Sequence, residues 1–382
     1  MNTGISNQDS GFREGLAAPR TIMIMAGGTG GHVYPGLAVA LVLREQGWKI
    51  IWLGTKQGLE AKLVPAQNIE MVWLKIGGVR GKGVLRLFWL PAQIILAFIQ
   101  SARAIFKHRP DVVLGLGGYT AFPGGMMASL FNRPLVIHEQ NSIAGLTNRV
   151  LACLADQVLV AFPSAFQGPK DKPIPCGKVA LQCCGNPVRA DIATLPEPAT
   201  RLQHRSGKLR VLVVGGSLGA QALNEAVPQA LRIMVEASRP EVVHQAGAKH
   251  IEQLQANYAA AQVDAEVLAF IDDMAQRYAW CDVVICRAGA LTIAELAAAG
   301  VASVLVPFPH AVDDHQTTNA IFLSAAGAAV LLPQTELTPQ RLASLLNEFT
   351  RKKLLAMAQQ ARALAQPEAT RAVADVCMRL AA

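Results

Sequence analysis

The same local pattern opens both halves of this 382-residue chain: a short apolar run, a glycine-rich turn and a longer amphipathic stretch. In the first half the run 21–25 precedes the turn 26–31, and in the second half 209–214 precedes 215–220. Apolar runs of this length indicate buried strands, and glycines let backbone amides approach a ligand closely. The repetition predicts two similar α/β units.

Short apolar runs alternate with helical stretches throughout both units. This alternation predicts parallel, doubly wound sheets, and two such units imply two Rossmann-like domains that face each other across a cleft. Strands are predicted at 21–25, 50–53, 71–74, 112–116, 135–138, 157–160, 209–214, 242–245, 266–270, 283–286, 303–306 and 329–332. Pro35 is expected to open a helix over 36–46.

The domain boundary is predicted where this periodicity fails and prolines accumulate, between residues 163 and 198. The chain then divides into a disordered polar tail (1–20), a first domain (21–188) and a second domain (189–366). We expect the terminal helix, 367–382, to return to the first domain.

Composition limits the partners of such a protein. A net charge of +8 favours an acidic partner, such as phosphorylated substrates, an anionic membrane surface or nucleic acid. The seven cysteines form no C-x-x-C pair, which argues against a disulfide framework and favours a reducing cytoplasm. No apolar stretch reaches the length of a transmembrane helix.

The first glycine turn ends at His32, a residue able to take a proton near neutral pH. Neither glycine turn matches the dinucleotide or P-loop fingerprint, so both suit phosphates held by bare amides, or they serve only as tight turns. A third glycine precedes a helix predicted to begin near Ala290. Glu295 lies about one turn into this helix, where a carboxylate could accept both hydroxyls of a ribose, or it is a surface residue.

Polar residues follow two further strands at their carboxyl ends, where ligands of parallel sheets bind. They are the run 138–141, with the sequence HEQN, and the loop 307–316, in which His315 and Gln316 could bind sugar hydroxyls. The chain offers no metal motif of fixed spacing, so no metal is expected. No serine elbow or cysteine motif supports nucleophilic catalysis.

The segment 71–110 is basic, contains no aspartate or glutamate and includes an apolar helical stretch with a tryptophan. These features are typical of interfacial attachment to anionic lipid, although a buried helix with solvated basic residues has the same pattern. The aromatic residues do not interleave with the basic ones, which disfavours nucleic acid.

Six motifs, in order along the chain, resemble those of the MurG family. They are 27–36, 138–141, 185–189, 215–220, 270–274 and 288–292. MurG proteins are bacterial transferases that move N-acetylglucosamine from UDP-GlcNAc to undecaprenyl-pyrophosphoryl-muramyl-pentapeptide. The resemblance extends from about Thr21 to the last helix.

The resemblance implies a GT-B fold, an inverting transfer to the muramyl 4-hydroxyl, and no cofactor. It implies His32 as general base or as a ligand of the acceptor diphosphate. The implied substrate-binding residues on the acceptor side are Thr29, Gly30 and Gly31. In the donor site, the resemblance implies Asn141 and Gln316 at the GlcNAc hydroxyls, Ile271 at the uracil and Glu295 at the ribose. It implies Ser217, Ala290, Leu291 and Thr292 at the phosphates, and Arg189, Ile293 and Ala294 elsewhere in the donor site.

A lipid-linked acceptor implies a peripheral protein at the cytoplasmic face of the inner membrane, with cell-wall synthesis proteins as further partners. Membrane association is assigned to Arg80, Lys82, Phe88 and Trp89. Two alternatives stay open: a UDP-GlcNAc 2-epimerase on the same fold, and a nucleotide-sugar-binding peripheral membrane protein without turnover.

Overall fold

The computed structural model describes residues 19–76, 84–167, 180–216, 219–311 and 314–382, with the backbone alone from 84 to 90. Several predictions therefore lie outside the described residues. They are the tail before residue 19, the positions Arg80, Lys82 and Ser217, and the side chains of Phe88 and Trp89.

The first domain contains a parallel sheet with the order β3-β2-β1-β4-β5-β6-β7 among the described residues. The strands are β1 (Thr21–Met25), β2 (Lys49–Gly54), β3 (Glu70–Trp73), β4 (Val112–Gly115), β5 (Leu135–Glu139), β6 (Gln157–Val160) and β7 (Leu181–Cys183). The six strands predicted in this half are confirmed to within about two residues. The strand β1 lies between β2 and β4, where the strand order reverses.

The strand β7 was not predicted, and it lies inside the proline-rich stretch 163–198 in which the periodicity fails. Its three residues are all exposed, and it pairs only with β6 at the edge of the described sheet. A strand this short with no buried side chain leaves no apolar run in the sequence.

The second sheet repeats this arrangement, with the order β10-β9-β8-β11-β12-β13 in the described part of the chain. The strands are β8 (Arg210–Val214), β9 (Glu241–Gln245), β10 (Glu266–Leu268), β11 (Val283–Cys286), β12 (Ala302–Leu305) and β13 (Ala329–Leu331). The strand β8 takes the place that β1 has in the first sheet. The prediction of two doubly wound parallel sheets is confirmed.

Helices cover both sheets and bury an apolar core on each face of each sheet. They are α1 (Gly30–Glu45), α2 (Glu60–Leu63), α3 (Val84–His108), α4 (Gly118–Leu130), α5 (Leu146–Ala152), α6 (Ala190–Ala193), α7 (Pro198–Leu202), α8 (Gln221–Ile233), α9 (Ile251–Ala261), α10 (Met274–Trp280), α11 (Ala290–Ala299), α12 (His315–Ser324), α13 (Pro339–Asn347), α14 (Arg351–Ala363) and α15 (Ala369–Leu380). None of the helices in the described ranges has the length and apolar composition needed to cross a bilayer.

The helix α1 begins at Gly30, so the prediction that Pro35 opens it at residue 36 is wrong. Glycines are poor helix formers and proline favours the first helical position, which is why the sequence suggested a later start. Gly36 instead lies inside the helix and packs against the sheet, where a Cβ atom would lie 2.6 Å from the Trp52 ring. Gly30 and Gly31 therefore form the first turn of a 16-residue helix.

The last helix, α15, packs against α1 and β4 of the first domain. Its side chains Val373, Val376 and Cys377 are buried in the same core as Ile22 and Val112. The end of the chain therefore contributes to the core of the domain in which the chain begins.

We expect Val373→Ala to destabilise the first domain by about 2 kcal/mol, because it removes two buried methyl groups and leaves a cavity. Urea unfolding measures the loss, and amide hydrogen exchange locates it: exchange should rise in β1 and not in β8. Val235→Ala, at a side chain that is 73% exposed, is the matched control. Faster exchange confined to β8 would contradict this assignment.

Candidate active site

The carboxyl ends of both sheets face one cleft of about 1120 Å³, lined by residues of both domains. Twelve of the predicted site residues line it: Thr29, Gly30, Gly31, His32, Asn141, Arg189, Ile271, Ala290, Leu291, Thr292, Glu295 and Gln316. Two others do not. Ile293 is buried in the core of the second domain, and Ala294 faces a separate small pocket beside Phe162.

The first glycine turn is held in place by a buried carboxylate, Glu60 at the start of α2. Glu60 Oε2 accepts a hydrogen bond of 2.9 Å from the Gly28 amide, and Oε1 accepts bonds from the amide and hydroxyl of Thr55. A Cβ atom at Gly27 would lie 2.7 Å from Glu60 Oε1, so the turn needs glycine there. Nothing in the local sequence marks Glu60 as a partner of this turn.

The first turn of α1 presents free amides to the cleft. The earliest bonds of this helix run from the amides of His32 and Val33 to the Thr29 carbonyl, so Gly30 and Gly31 have no acceptor within it. The positive end of the helix dipole lies at the same place. This turn therefore suits an anion.

His32 stands on this turn, with its ring against the glycines that follow β4. A Cβ atom at Gly117 would lie 3.3 Å from His32 Cε1. The Nδ1 atom of His32 lies 2.9 Å from Gln140 Oε1. The sequence indicated that the run 138–141 lines the site, but it did not indicate that Gln140 binds His32.

Asn141 lies beside Gln140 at the same edge of the sheet. Its backbone amide and its Nδ2 atom both donate to Glu139 Oε1, at 2.9 and 3.1 Å. Glu139 also accepts a bond from Asn148 on α5. These bonds fix the orientation of the Asn141 amide in the cleft.

The second domain presents another helix N-terminus, that of α11. The first bond within this helix runs from the Ile293 amide to the Gly289 carbonyl, at 3.0 Å. The amides of Ala290, Leu291 and Thr292 therefore have no acceptor inside the helix, whereas that of Ile293 is occupied. The predicted start of this helix near Ala290 is confirmed.

Glu295 is buried, so the alternative that it is a surface residue is wrong. Its Oε1 atom accepts bonds of 3.2 and 2.9 Å from Nε and Nη2 of Arg189, and its Oε2 atom accepts one of 3.2 Å from the Tyr278 hydroxyl. Burial raises the pKa of Glu295, and the charge of Arg189 opposes this shift. The Arg189 guanidinium also lies 4.9 Å from the centre of the Tyr34 ring on α1, so Arg189 contacts both domains.

The loop after β12 is tied to the cleft by Gln316, whose Oε1 atom accepts a bond of 2.9 Å from the Phe308 amide. His315 begins α12 and lines the cleft as well. Arg287 was not predicted: it donates to the Val306 and Pro307 carbonyls and to Gln334 Oε1. Arg287 stands two residues before Gly289 in the third glycine element, but the sequence predicted roles only for the residues from Ala290 onward.

The described residues contain no group of three or more histidine, cysteine, aspartate or glutamate side chains that could hold a metal ion.

Family models match most of the chain. The glycosyltransferase family 28 N-terminal domain matches residues 22–160, and the family 28 C-terminal domain matches residues 210–376. Both glycine turns and the helix α11 lie within these matches.

Named relatives match almost the whole chain. A protein of Thiobacillus denitrificans is 62% identical over 96% of this chain and 99% of its own length. It is named UDP-N-acetylglucosamine–N-acetylmuramyl-(pentapeptide) pyrophosphoryl-undecaprenol N-acetylglucosamine transferase. A protein of Cupriavidus necator with the same name is 58% identical over 96% of this chain and 99% of its own length.

Among solved structures, MurG of Acinetobacter baumannii matches with a TM-score of 0.77 and 41% identity, over 94% of this chain and 100% of that one. The fold, the family models and the relatives agree, and the chain belongs to the MurG family within glycosyltransferase family 28.

Proposed function

We propose that this protein transfers N-acetylglucosamine from UDP-GlcNAc to the 4-hydroxyl of the muramyl sugar in undecaprenyl-pyrophosphoryl-MurNAc-pentapeptide, a step of peptidoglycan synthesis. The observation that carries the proposal is that one cleft receives two helix N-termini, α1 from the first domain and α11 from the second. A transferase that joins two phosphate-bearing substrates needs two such anion sites. Relatives that match 96% of the chain carry the name of this transferase, which does not favour the epimerase or the non-catalytic alternative.

The second domain holds the donor. The free amides of Ala290, Leu291 and Thr292 bind the UDP phosphates, with Ser217 as a further contact. Glu295 binds the ribose, since a carboxylate accepts two hydroxyl protons, and Ile271 lies at the uracil. Asn141 of the first domain and Gln316 bind the hydroxyls of the sugar, and Arg189 completes the donor site.

The first domain holds the acceptor and the reacting hydroxyl. Thr29, Gly30 and Gly31 face the acceptor diphosphate and the transferred sugar, and His32 acts as the general base. The muramyl 4-oxygen attacks the anomeric carbon, and the bond from that carbon to the phosphate oxygen breaks with its electron pair leaving on UDP. The hydroxyl proton passes to His32, and attack on the face opposite UDP inverts the anomeric configuration.

The protein binds the cytoplasmic face of the inner membrane through exposed apolar side chains of the first domain. On α3 these include Ile95, Ile99 and Phe106, of which Phe106 is 62% exposed. The apolar surface continues on the neighbouring helices. Phe106 packs against Phe131 at the end of α4, and the side chain of Leu146 on α5 is 77% exposed. Arg103 and Lys107, also exposed, supply positive charge on α3.

Replacing His32 tests the chemistry. In an assay with labelled UDP-GlcNAc and the lipid-linked muramyl acceptor, we expect His32→Asn to lower the rate of labelled lipid formation by about 100-fold or more. UDP affinity, measured by calorimetry, should stay unchanged because His32 lies on the first domain. His204→Asn, at an exposed histidine far along the chain, is the matched control. An unaltered rate in His32→Asn would remove His32 from the mechanism.

Replacing Glu295 tests the donor site. Glu295→Gln keeps the shape of the side chain but removes its charge, so UDP affinity should fall about tenfold or more through weaker bonds to the ribose. Calorimetry with UDP measures the change, and Glu236→Gln on the exposed surface is the control. Equal UDP affinity in the two variants would exclude Glu295 as a ribose ligand.

Membrane attachment is tested with vesicles that contain anionic phospholipid. The double variant Ile95→Gln and Ile99→Gln should sediment less with vesicles than the control double variant Ile233→Gln and Val235→Gln, which alters exposed apolar residues of the second domain.

Reversing the charges of Arg80 and Lys82 should weaken vesicle binding at low salt and have little effect at high salt. Full vesicle binding by all of these variants would refute the proposal that this surface of the first domain contacts the membrane.

A further inference from the structure

A chain of hydrogen bonds leads from the segment between the two sheets to His32. It begins at the Gly185 carbonyl oxygen, which lies 2.9 Å from Nε2 of His138. A carbonyl oxygen can only accept, so Nε2 of His138 carries a proton. A neutral His138 therefore has its lone pair on Nδ1.

The next bond fixes the orientation of the Gln140 amide. Its Nε2 atom lies 3.1 Å from Nδ1 of His138 and 3.1 Å from the His138 carbonyl oxygen. Both of these atoms are acceptors, so the amide nitrogen must point towards them. The amide oxygen, Oε1, then lies on the opposite side and faces His32.

The last bond determines where His32 carries its proton. Gln140 Oε1 is 2.9 Å from Nδ1 of His32 and can only accept, so Nδ1 is the donor. A neutral histidine protonated on Nδ1 has its lone pair on Nε2. Within the described residues, no protein group forms a hydrogen bond with Nε2 of His32.

Burial keeps this chain from rearranging. His138 and Gln140 are both almost fully buried, so an unpaired amide or ring nitrogen could not turn to water. Burial also lowers the pKa of His138 to about 4, which keeps its ring neutral near pH 7. The Nδ2 atom of Asn186 donates a bond of 3.1 Å to the backbone carbonyl of Gln140, which ties Gln140 to the segment after β7.

We propose that Gln140 and His138 are positioning residues that hold neutral His32 in the tautomer with the proton on Nδ1 and the lone pair on Nε2. The inference rests on the proposed function, in which His32 takes the hydroxyl proton. For neutral His32, this tautomer favours the role of general base over that of diphosphate ligand. A lone pair on Nε2 can accept a proton from the muramyl hydroxyl, whereas a neutral ligand of the acceptor diphosphate would need a proton there to donate.

The test is the tautomer itself, observed by nitrogen NMR of protein labelled with 15N-histidine. The chain has eight histidines, and the signals missing from His32→Asn identify His32. At a pH where His32 is neutral, we expect Nδ1 to give the shift of a protonated nitrogen and Nε2 that of an unprotonated one. The opposite assignment in the unaltered protein would overturn the proposal.

Two variants of Gln140 then test the cause. Gln140→Met removes the acceptor, so the Nε2-protonated tautomer of His32 should appear and kcat should fall about tenfold or more, with KM for UDP-GlcNAc little changed. Gln140→Glu retains an acceptor oxygen for Nδ1 of His32 but loses the amide donor to His138, so Nδ1 of His32 should stay protonated while His138 loses this bond. Gln157→Met, at the start of strand β6 and away from His32, is the matched control. A His32 tautomer and kcat unaffected by Gln140→Met would refute the role of Gln140.

Failure of this inference and failure of the proposed function give different results. The tautomer is read from the resting protein and needs neither substrate nor turnover. Absence of labelled lipid product from the unaltered protein would refute the transferase, whatever the tautomer. The unaltered protein itself reports the tautomer, and the variant His32→Asn is needed only to identify the His32 signals.

Discussion

In a parallel sheet every strand ends at the same edge, and the helix that follows a strand begins there. This constraint gives each domain a row of helix N-termini and polar turns along one edge, and the two edges line a common cleft. The central strands β1 and β8 occupy equivalent positions in their sheets, so their glycine turns both reach this cleft. The anion sites, the histidine and the buried carboxylate of the cleft all depend on this geometry.

Around the cleft, buried polar groups hold the backbone in place. Glu60 fixes the turn before α1, and the pair His138 and Gln140 fixes the ring on that turn. Burying such groups is unfavourable unless each finds a partner, and here the partners are backbone amides, carbonyls and one another. These bonds hold the turn and the His32 ring in place in the cleft, as the proposed proton transfer requires.

Arg189 connects the two halves of the cleft. Its guanidinium pairs with Glu295 on α11 and lies against the Tyr34 ring on α1. A buried ion pair gains little net stability, because desolvation of both charges offsets their attraction. In the proposed donor site, a ribose hydroxyl bound to Glu295 would share the carboxylate with Arg189 and Tyr278.

The sequence by itself determined the two sheets, because buried parallel strands need short apolar runs and the chain shows them at β1, β8 and β11. It also determined the glycine turns and, through six motifs, the family. It did not reveal β7, whose exposed side chains leave no apolar pattern, or the start of α1 at Gly30, where two glycines of low helix propensity open the helix. The partnerships of Glu60 with Gly28 and of Gln140 with His32 span 32 and 108 residues along the chain. Only the tertiary structure decided them, because a hydrogen bond between distant segments depends on where the fold brings two atoms and leaves no periodic signal in the sequence.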